Sequence, residues 1–230
     1  VQIIQTLNDL NAYLQGLSPN LPLILDTETN SLDPMQAEII GISLCSNLDN
    51  ACYIPLAHEQ QQNCPKQEAL AILKPLLENP NVLKIGQNIK YDFHVLKNAG
   101  IHLKGIHSDT MLESYVHNST ASRHDLGTLA QKYLHLNSIA YEDVVGKGAK
   151  QKPFASIDIT KAAEYSGEDV VLTLKLHHYF NEHLSTTEQQ LVHEIEIPVS
   201  IILADMERYG VAIDCELLHK PVSYTHLTLP

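Results

Sequence analysis

The sequence predicts an α/β fold, and three observations support that class. The aliphatic run Leu23–Leu25 stands between a proline and polar residues, which is typical of a buried strand. Two further strand candidates, Glu38–Cys45 and Ala51–Pro55, follow it and are joined by a segment of turn-forming residues. Beyond them, segments with helical spacing surround the short apolar run Val82–Ile85. We expect the first three strands to pair as an antiparallel meander, with helices packed on the sheet.

Helices are predicted where apolar residues recur at helical spacing behind a capping residue. Thr6, Asp109, Asp125 and Asp158 each precede such a segment and are expected to act as N-caps. Pro75 lies inside one segment and is expected to kink or shorten that helix. The predicted helices cover 6–17, 66–78, Phe93–Ala99, Thr110–His117, 126–134, 159–183 and 187–209.

Glycines and polar stretches are expected to end these helices. Gly100 and Gly210 stand where helical spacing stops. Residues 137–157 are polar and irregular, and they predict a long loop that contains one short helix. The closing residues Pro221–Pro230 carry no helical pattern.

The composition indicates a globular protein from a reducing compartment. Of its 230 residues, 44% are hydrophobic and 18% are charged, and no apolar run is long enough to span a membrane. The four cysteines lack Cys-x-x-Cys spacing, which favours free thiols over a disulfide framework or a zinc site. Because the chain begins at Val1 and has no signal-peptide pattern, we expect a fragment of a longer cytoplasmic protein.

The net charge of −12 limits the classes of function. Proteins that bind nucleic acid tightly and independently are usually basic, because phosphate contacts dominate their affinity. The charge therefore argues against such a binding module. It leaves open an enzyme whose bound metal ions supply the local positive charge.

Asp26 and Glu28 are the first candidate metal ligands. They follow the aliphatic run Leu23–Leu25 and are separated by one residue, so on a strand they point to the same side. Two carboxylates that close repel each other in a dry site unless a cation lies between them. An all-oxygen pair favours a hard divalent ion such as Mg²⁺ or Mn²⁺. Alone, the pair is a weak signal and is better explained as a strand end with two solvated acids.

Two later stretches carry further acids. Asp92 follows Gly86-Gln87-Asn88 at the start of a predicted helix, where an acid also interacts favourably with the helix dipole. Tyr165 and Asp169 lie four residues apart on one face of the long helix. That face continues through Leu172 and Leu176, so it is expected to be buried. A buried acid needs a partner, and a metal ion would serve.

Together, these stretches resemble the three motifs of the DEDD exonuclease superfamily, and the tyrosine indicates its DEDDy branch. Their flanks resemble the 3′-5′ proofreading domain of bacterial DNA polymerase I, a family A polymerase. The resemblance extends over roughly residues 1–214. It is carried by Asp26-Thr27-Glu28-Thr29-x-Ser31-Leu32, Gly86-Gln87-Asn88-x-Lys90-Tyr91-Asp92, Asp109-Thr110-Met111-Leu112-Glu113-Ser114-Tyr115, Arg123-His124-Asp125 and Tyr165-x-x-x-Asp169.

The resemblance implies a ribonuclease-H-like mixed sheet flanked by helices and a site with two divalent metal ions. The ions would be Mg²⁺ or Mn²⁺, with Zn²⁺ as an alternative at one site. Asp26, Glu28 and Asp169 would hold the first ion, while Asp26 and Asp92 would position the second. Tyr165 completes the catalytic set and would orient the attacking water, because a phenol is a poor base at neutral pH.

The implied reaction is the removal of nucleotides from a DNA 3′ end, with release of 5′-monophosphates. Alternatives are a ribonuclease-D-like exoribonuclease and an inactive scaffold domain. The implied partners are a single-stranded or frayed DNA 3′ end and the remainder of a polymerase chain, in a monomeric protein at the bacterial nucleoid. Six residues are implied to contact the substrate: Leu32 as a wedge, Phe154 by stacking, and Gln87, Asn88, Lys90 and Arg123 on the strand.

The same resemblance divides the chain into three parts. Residues 1–186 are expected to form the exonuclease domain. Residues 187–218 resemble the entry to the polymerase region of that family. Residues 219–230 have no counterpart there, and we interpret them as a candidate foreign tail.

Overall fold

A computed structural model describes residues 1–120 and 123–217, and six strands form a mixed sheet in it. The order across the sheet is β1-β4-β3-β2-β5-β6. The pairs β2–β3 and β3–β4 are antiparallel, and the other neighbours are parallel. The predicted α/β class and the meander are therefore confirmed. The strands are Gln2–Ile3 (β1), Leu23–Thr29 (β2), Ile39–Cys45 (β3), Cys52–Pro55 (β4), Lys84–Gly86 (β5) and Ile106–Asp109 (β6).

Helices cover both faces of this sheet. In the described part of the chain, none is long and apolar enough to cross a membrane. The candidate tail at 219–230 lies outside the described residues. The helices are Leu7–Gln15 (α1), Lys66–Leu77 (α2), Ile89–Asn98 (α3), Thr110–His117 (α4), Leu126–Leu129 (α5), Tyr141–Val145 (α6), Ile159–His183 (α7), Thr186–Leu191 (α8) and Ile197–Tyr209 (α9).

The predicted N-caps are confirmed by their hydrogen bonds. The side chain of Thr6 accepts from the amide of Asp9, and those of Asp109 and Asp158 accept from the first turns of α4 and α7. Asp125 caps α5 in the same way. Local sequence thus sets most helix starts, because a cap satisfies backbone amides that the helix leaves free.

Several local features differ from the sequence prediction. The segment predicted as one helix over 187–209 is α8, a π-helical turn over Val192–Glu196, and α9. Pro198 stands at the start of α9 and lacks an amide hydrogen, so regular α-helical bonding cannot continue through it. A second π-turn, Ala130–Leu134, follows α5. Neither β1 nor β6 was predicted, since β1 has two residues and β6 contains one apolar residue, Ile106.

Two helices also differ in extent from the prediction. Helix α3 begins at Ile89 and not at Phe93. Helix α2 continues through Pro75 to Leu77, so the proline does not end it.

The centre of the sheet is buried between two helical layers. On one face, Ile24 and Ile85 pack against Val170 and Leu174 of α7. On the other face, Leu23 and Leu25 join a larger core with residues of α1, α2 and α3. Side chains alternate along a strand, so Asp26 and Glu28 share the α7 side with Ile24. The sheet therefore directs both acids towards α7.

Beside Glu28, the sheet depends on a glycine. Gly41 is the partner of Glu28 in β3, and the ring of Tyr53 from β4 lies over it. A Cβ atom at Gly41 would stand 2.1 Å from the Tyr53 hydroxyl oxygen. Tyr53 is fully buried, so its ring has no free space to retreat into.

We expect Gly41→Ala to lower the free energy of unfolding by about 1–3 kcal/mol, because it overpacks this contact. Urea unfolding measures the change. Gly16→Ala is the matched control, since its Cβ would meet no atom closer than 3.4 Å. Equal stability of Gly41→Ala and the wild type would contradict the proposed packing constraint.

Candidate active site

Three acids meet where the end of β2 faces the middle of α7. Asp26 and Glu28 come from β2, and Asp169 comes from α7. One carboxylate oxygen of each lies within 4.8 Å of the others. Glu28 is buried, and the other two are half-buried. The structure thus brings together the three residues that the sequence assigned to the first metal ion.

Asp92 is held beside this cluster by the residue between the two β2 acids. It stands in the first turn of α3 and is 2% exposed. One of its carboxylate oxygens accepts hydrogen bonds from the amide of Thr27 at 2.9 Å and from the Thr27 hydroxyl at 2.6 Å. Strand alternation explains this arrangement, because Thr27 faces the opposite side from its two acidic neighbours.

Asp109 positions the start of α3. Its carboxylate accepts from the amides of Asn88, Ile89 and Met111, at 2.9 Å in each case. One buried acid therefore caps α4 and also fixes the turn that precedes α3, where Asn88 adopts a left-handed conformation with φ 57°. The sequence indicated the cap but not the second contact.

Burial makes this cluster electrostatically unfavourable without a cation. It raises the pKa of Asp26 to about 6. Burial and the neighbouring carboxylates also raise the pKa values of Glu28, Asp92 and Asp169 well above the usual range. A hydrogen bond from the Ser166 hydroxyl partly offsets the rise in the pKa values of Asp26 and Glu28. The Ser166 hydroxyl in turn accepts a hydrogen bond from the Ser43 hydroxyl at 2.8 Å.

The donor set fits a divalent metal ion. All four side chains offer oxygen, and no salt bridge within the described residues neutralises any of them. Oxygen-only sites with excess negative charge suit hard cations such as Mg²⁺ and Mn²⁺.

Tyr165 lies one helical turn before Asp169 and also faces the cleft. Burial and the carboxylates of Asp169 and Glu28 raise the pKa of its hydroxyl above the ordinary value. The phenol therefore keeps its proton at neutral pH. It can donate a hydrogen bond but is a poor proton acceptor.

Comparison with known proteins assigns the chain to a family. Residues 1–185 match the family described as 3′-5′ exonuclease. The chain belongs to the 3′-5′ exonuclease family. DNA polymerase I of Pseudomonas aeruginosa is 43% identical to the exonuclease chain over 215 residues. That match covers 90% of the chain but 24% of the polymerase, so the chain spans about a quarter of this relative's length.

Solved structures share the fold of the exonuclease chain. The polymerase domain of Pol1 from M. smegmatis, in complex with DNA primer-template and dNTP, gives a TM-score of 0.72 at 21% identity. The structural match covers 92% of this chain and 32% of the M. smegmatis chain. Ribonuclease D of Escherichia coli gives a TM-score of 0.65 at 17% identity, over 92% of this chain and 51% of that one. These similarities confirm the expected ribonuclease-H-like fold.

A cleft of about 820 Å³ opens over the carboxylates of the exonuclease domain. Leu32 and Asn88, both expected to contact substrate, line it, and the Leu32 side chain is 96% exposed. Phe154 also borders the cleft but is 3% exposed. The Tyr141 ring lies parallel to the Phe154 ring with 6.3 Å between their centroids, and Tyr141 is 41% exposed. Tyr141 therefore presents the more accessible aromatic face, and no sequence motif marks it because it lies in the predicted loop.

The other three predicted substrate contacts do not line this cleft. The side-chain amide of Gln87 donates to the carbonyl of His124 at 2.8 Å. The ammonium group of Lys90 forms a salt bridge with Glu207 of α9. Arg123 pairs with its neighbour Asp125 at 2.8 Å. Contact of these residues with a nucleic-acid strand stays a prediction, and α9 could not be anticipated as a partner from motif spacing.

The raised carboxyl pKa values set the pH dependence of the exonuclease domain's stability without metal. In the folded state these groups keep protons that the unfolded chain loses above about pH 4. Their contribution to stability is therefore fully present below that pH. It is lost as the pH rises through the folded values, which begin at about 6 for Asp26.

We expect Asp169→Asn to raise the melting temperature of the metal-free protein by a few degrees at pH 7.5 and by less at pH 5. The variant removes one repelling charge that matters only when the cluster is ionised. It should also shrink the stabilisation that Mg²⁺ or Ca²⁺ gives the wild type. Exposed Asp49→Asn is the control. A wild type that divalent ions do not stabilise would count against the metal site.

Proposed function

We propose that this exonuclease domain removes nucleotides from DNA 3′ ends as the proofreading part of a DNA polymerase I. The observation that carries the proposal is the cluster of Asp26, Glu28 and Asp169 at the floor of an open cleft. Membership of the 3′-5′ exonuclease family supports the direction of cleavage. The presence of all four acids argues against an inactive scaffold domain.

In this proposal the carboxylates bind two metal ions, and Asp26 contacts both. Asp26, Glu28 and Asp169 would hold the first divalent ion, Mg²⁺ or Mn²⁺, and Asp26 with Asp92 would hold the second. Bound ions supply Lewis-acid stabilisation of the phosphate charge and make a water more acidic. Thr27 keeps Asp92 in place through its two hydrogen bonds.

Tyr165 is proposed to orient the attacking water by a hydrogen bond. Its hydroxyl stands close enough to Asp169 and Glu28 for their charges to raise its pKa. A phenol that keeps its proton can fix the direction of a water molecule but does not deprotonate it.

The substrate in this proposal is a single-stranded or frayed DNA 3′ end. Leu32 lines the cleft and would act as a wedge, and Tyr141, parallel to Phe154 beside it, would offer an aromatic surface for a base. Stacking on such a surface tolerates any base, as proofreading requires. The polymerase I relative supports DNA as the substrate, while the fold shared with ribonuclease D makes RNA the alternative to test.

The proposed setting is a longer polymerase chain. Residues 1–186 would act as the exonuclease domain of a monomer at the bacterial nucleoid, and 187–218 would begin the polymerase region. The contact between Lys90 of α3 and Glu207 of α9 would join these two parts.

The test compares cleavage of labelled DNA and RNA single strands of the same sequence in Mg²⁺. We expect DNA to be degraded from its 3′ end, and mispaired duplex ends faster than paired ones, since melting a terminal pair costs energy. Asp26→Ala, Asp92→Ala and Asp169→Ala should each lower the rate by more than about 100-fold, because even groups behind metal ligands often contribute 10–100-fold.

Asp49→Ala, an exposed acid outside the cleft, is the matched control and should keep full activity. If RNA is cleaved faster than DNA, the proposed function is wrong and the domain is an exoribonuclease. Normal activity of any of the three cluster variants would refute the assignment of that residue.

For Tyr165→Phe we expect a rate loss of about 10-fold, equivalent to one hydrogen bond of about 1.4 kcal/mol. Stabilisation by divalent ions should remain, because the carboxylates are intact. Tyr133→Phe, another half-buried tyrosine outside the cleft, provides the control. If a limb of the pH–rate profile disappears in Tyr165→Phe, the phenol removes the proton and the proposed role is wrong.

A further inference from the structure

A loop outside the cleft holds one of the cleft's walls. The wall consists of residues 153–157, of which 153–155 line the cleft. The loop consists of residues 58–61, which follow the end of β4 at Pro55. None of them lines the cleft. We call these segments the cleft wall and the clamp loop.

Backbone and side-chain hydrogen bonds join the two segments. The amide of Glu59 donates to the carbonyl of Ala155 at 2.8 Å. The Ile157 carbonyl accepts from His58 Nδ1 at 3.0 Å and from the Gln61 side chain at 2.9 Å. The clamp loop therefore holds the wall at two carbonyls, which leaves the wall little freedom to shift on its own.

Gln61 also ties the wall to the next helix. Its side-chain oxygen accepts from the amide of Ile159, the first residue of α7, at 2.8 Å. The amide group of Gln61 thus bridges the wall and α7, the helix that carries Tyr165 and Asp169.

His58 links the wall to the sheet beside the carboxylates. Because its Nδ1 donates to the Ile157 carbonyl, Nε2 of the neutral ring accepts from the Tyr53 hydroxyl at 2.7 Å. Burial lowers the pKa of His58, which favours this neutral form. Tyr53 lies over Gly41, the strand partner of Glu28.

The histidine ring also supports the aromatic surface of the wall. It packs against Phe154 at 5.9 Å between ring centroids, and Phe154 in turn lies 6.3 Å from both Tyr141 and Tyr165. His58 is 4% exposed, so it is out of reach of a substrate. Any effect it has on the reaction must act through the wall.

We propose that His58 is a positioning residue that sets where the cleft wall stands relative to Glu28, and so determines how tightly the terminal nucleotide binds. The proposal rests on the proposed exonuclease function. The wall carries none of the four acids, so displacing it should weaken substrate binding while leaving metal binding intact. If the displaced wall weakens binding of the substrate and of the transition state by the same amount, KM rises and kcat does not change.

The experiment measures kcat and KM on a single-stranded DNA oligonucleotide in Mg²⁺ for the wild type and for wall-contact variants. His58→Ala should raise KM about 10-fold with kcat nearly unchanged, since it removes the bond to the Ile157 carbonyl. His58→Asn places an amide donor near the position of Nδ1 and should restore most of the affinity. The stabilisation by Ca²⁺ should match the wild type in both variants.

Two further variants separate positioning from general stability. Gln61→Ala removes the other side-chain donor to Ile157 and should raise KM in the same way, even if His58→Ala does not fold. Tyr13→Phe removes a buried hydrogen bond to the Leu44 carbonyl, in a different core cluster from Phe154 and Ile157 of the wall. It should lower the melting temperature but leave KM unchanged.

The outcomes distinguish this proposal from the proposed function. An active wild type with folded His58→Ala and Gln61→Ala variants of normal KM would overturn the positioning role alone. A fall in kcat without a change in KM would also overturn it. A wild type that cleaves neither DNA nor RNA would overturn the proposed function, and the positioning proposal with it.

Discussion

Four buried or half-buried acids meet with no cationic partner among the described residues, and this is the constraint on which the rest of the structure depends. Isolated buried carboxylates are costly, so they either keep protons or require a cation. The pKa values of all four are raised. The surrounding fold holds them together against this repulsion through sheet pairing at β2 and the packing of α7. Stability of the metal-free protein is thus lower than the core alone would provide.

Several buried contacts around the acids serve this arrangement. Thr27 fixes Asp92, Asp109 fixes the turn before α3, and Ser43 orients the hydroxyl of Ser166. Each contact joins elements that are distant in sequence. Because these bonds are buried, the position of each acid is determined by packing rather than by a flexible loop. The site is accordingly set by the core of the domain and not by its surface.

The parts that sequence could predict are those fixed by local spacing. Alternation along β2 puts Asp26 and Glu28 on one side, and a four-residue step puts Tyr165 beside Asp169 on α7. Caps such as Asp158 follow from local hydrogen bonding. Contacts made over long range could not be predicted in this way. The salt bridge of Lys90 joins residues 117 positions apart. The burial of Phe154 depends on Tyr141 and His58, which no motif includes.

The charge of the cleft indicates how a substrate would be held. Among the described residues that line it, Lys152 is the one lysine or arginine, while the floor carries Asp26, Glu28 and Asp169. Arg123 and Lys90 pair with acids elsewhere. The described side chains of the cleft therefore offer a nucleic acid little attraction by charge. In the proposed function, bound metal ions would hold the terminal phosphate, while hydrogen bonds and the surfaces of Leu32 and Tyr141 would contact the rest of the strand by shape. In the proposed function, such a site would recognise a free strand end by its fit in the cleft, without reading its sequence.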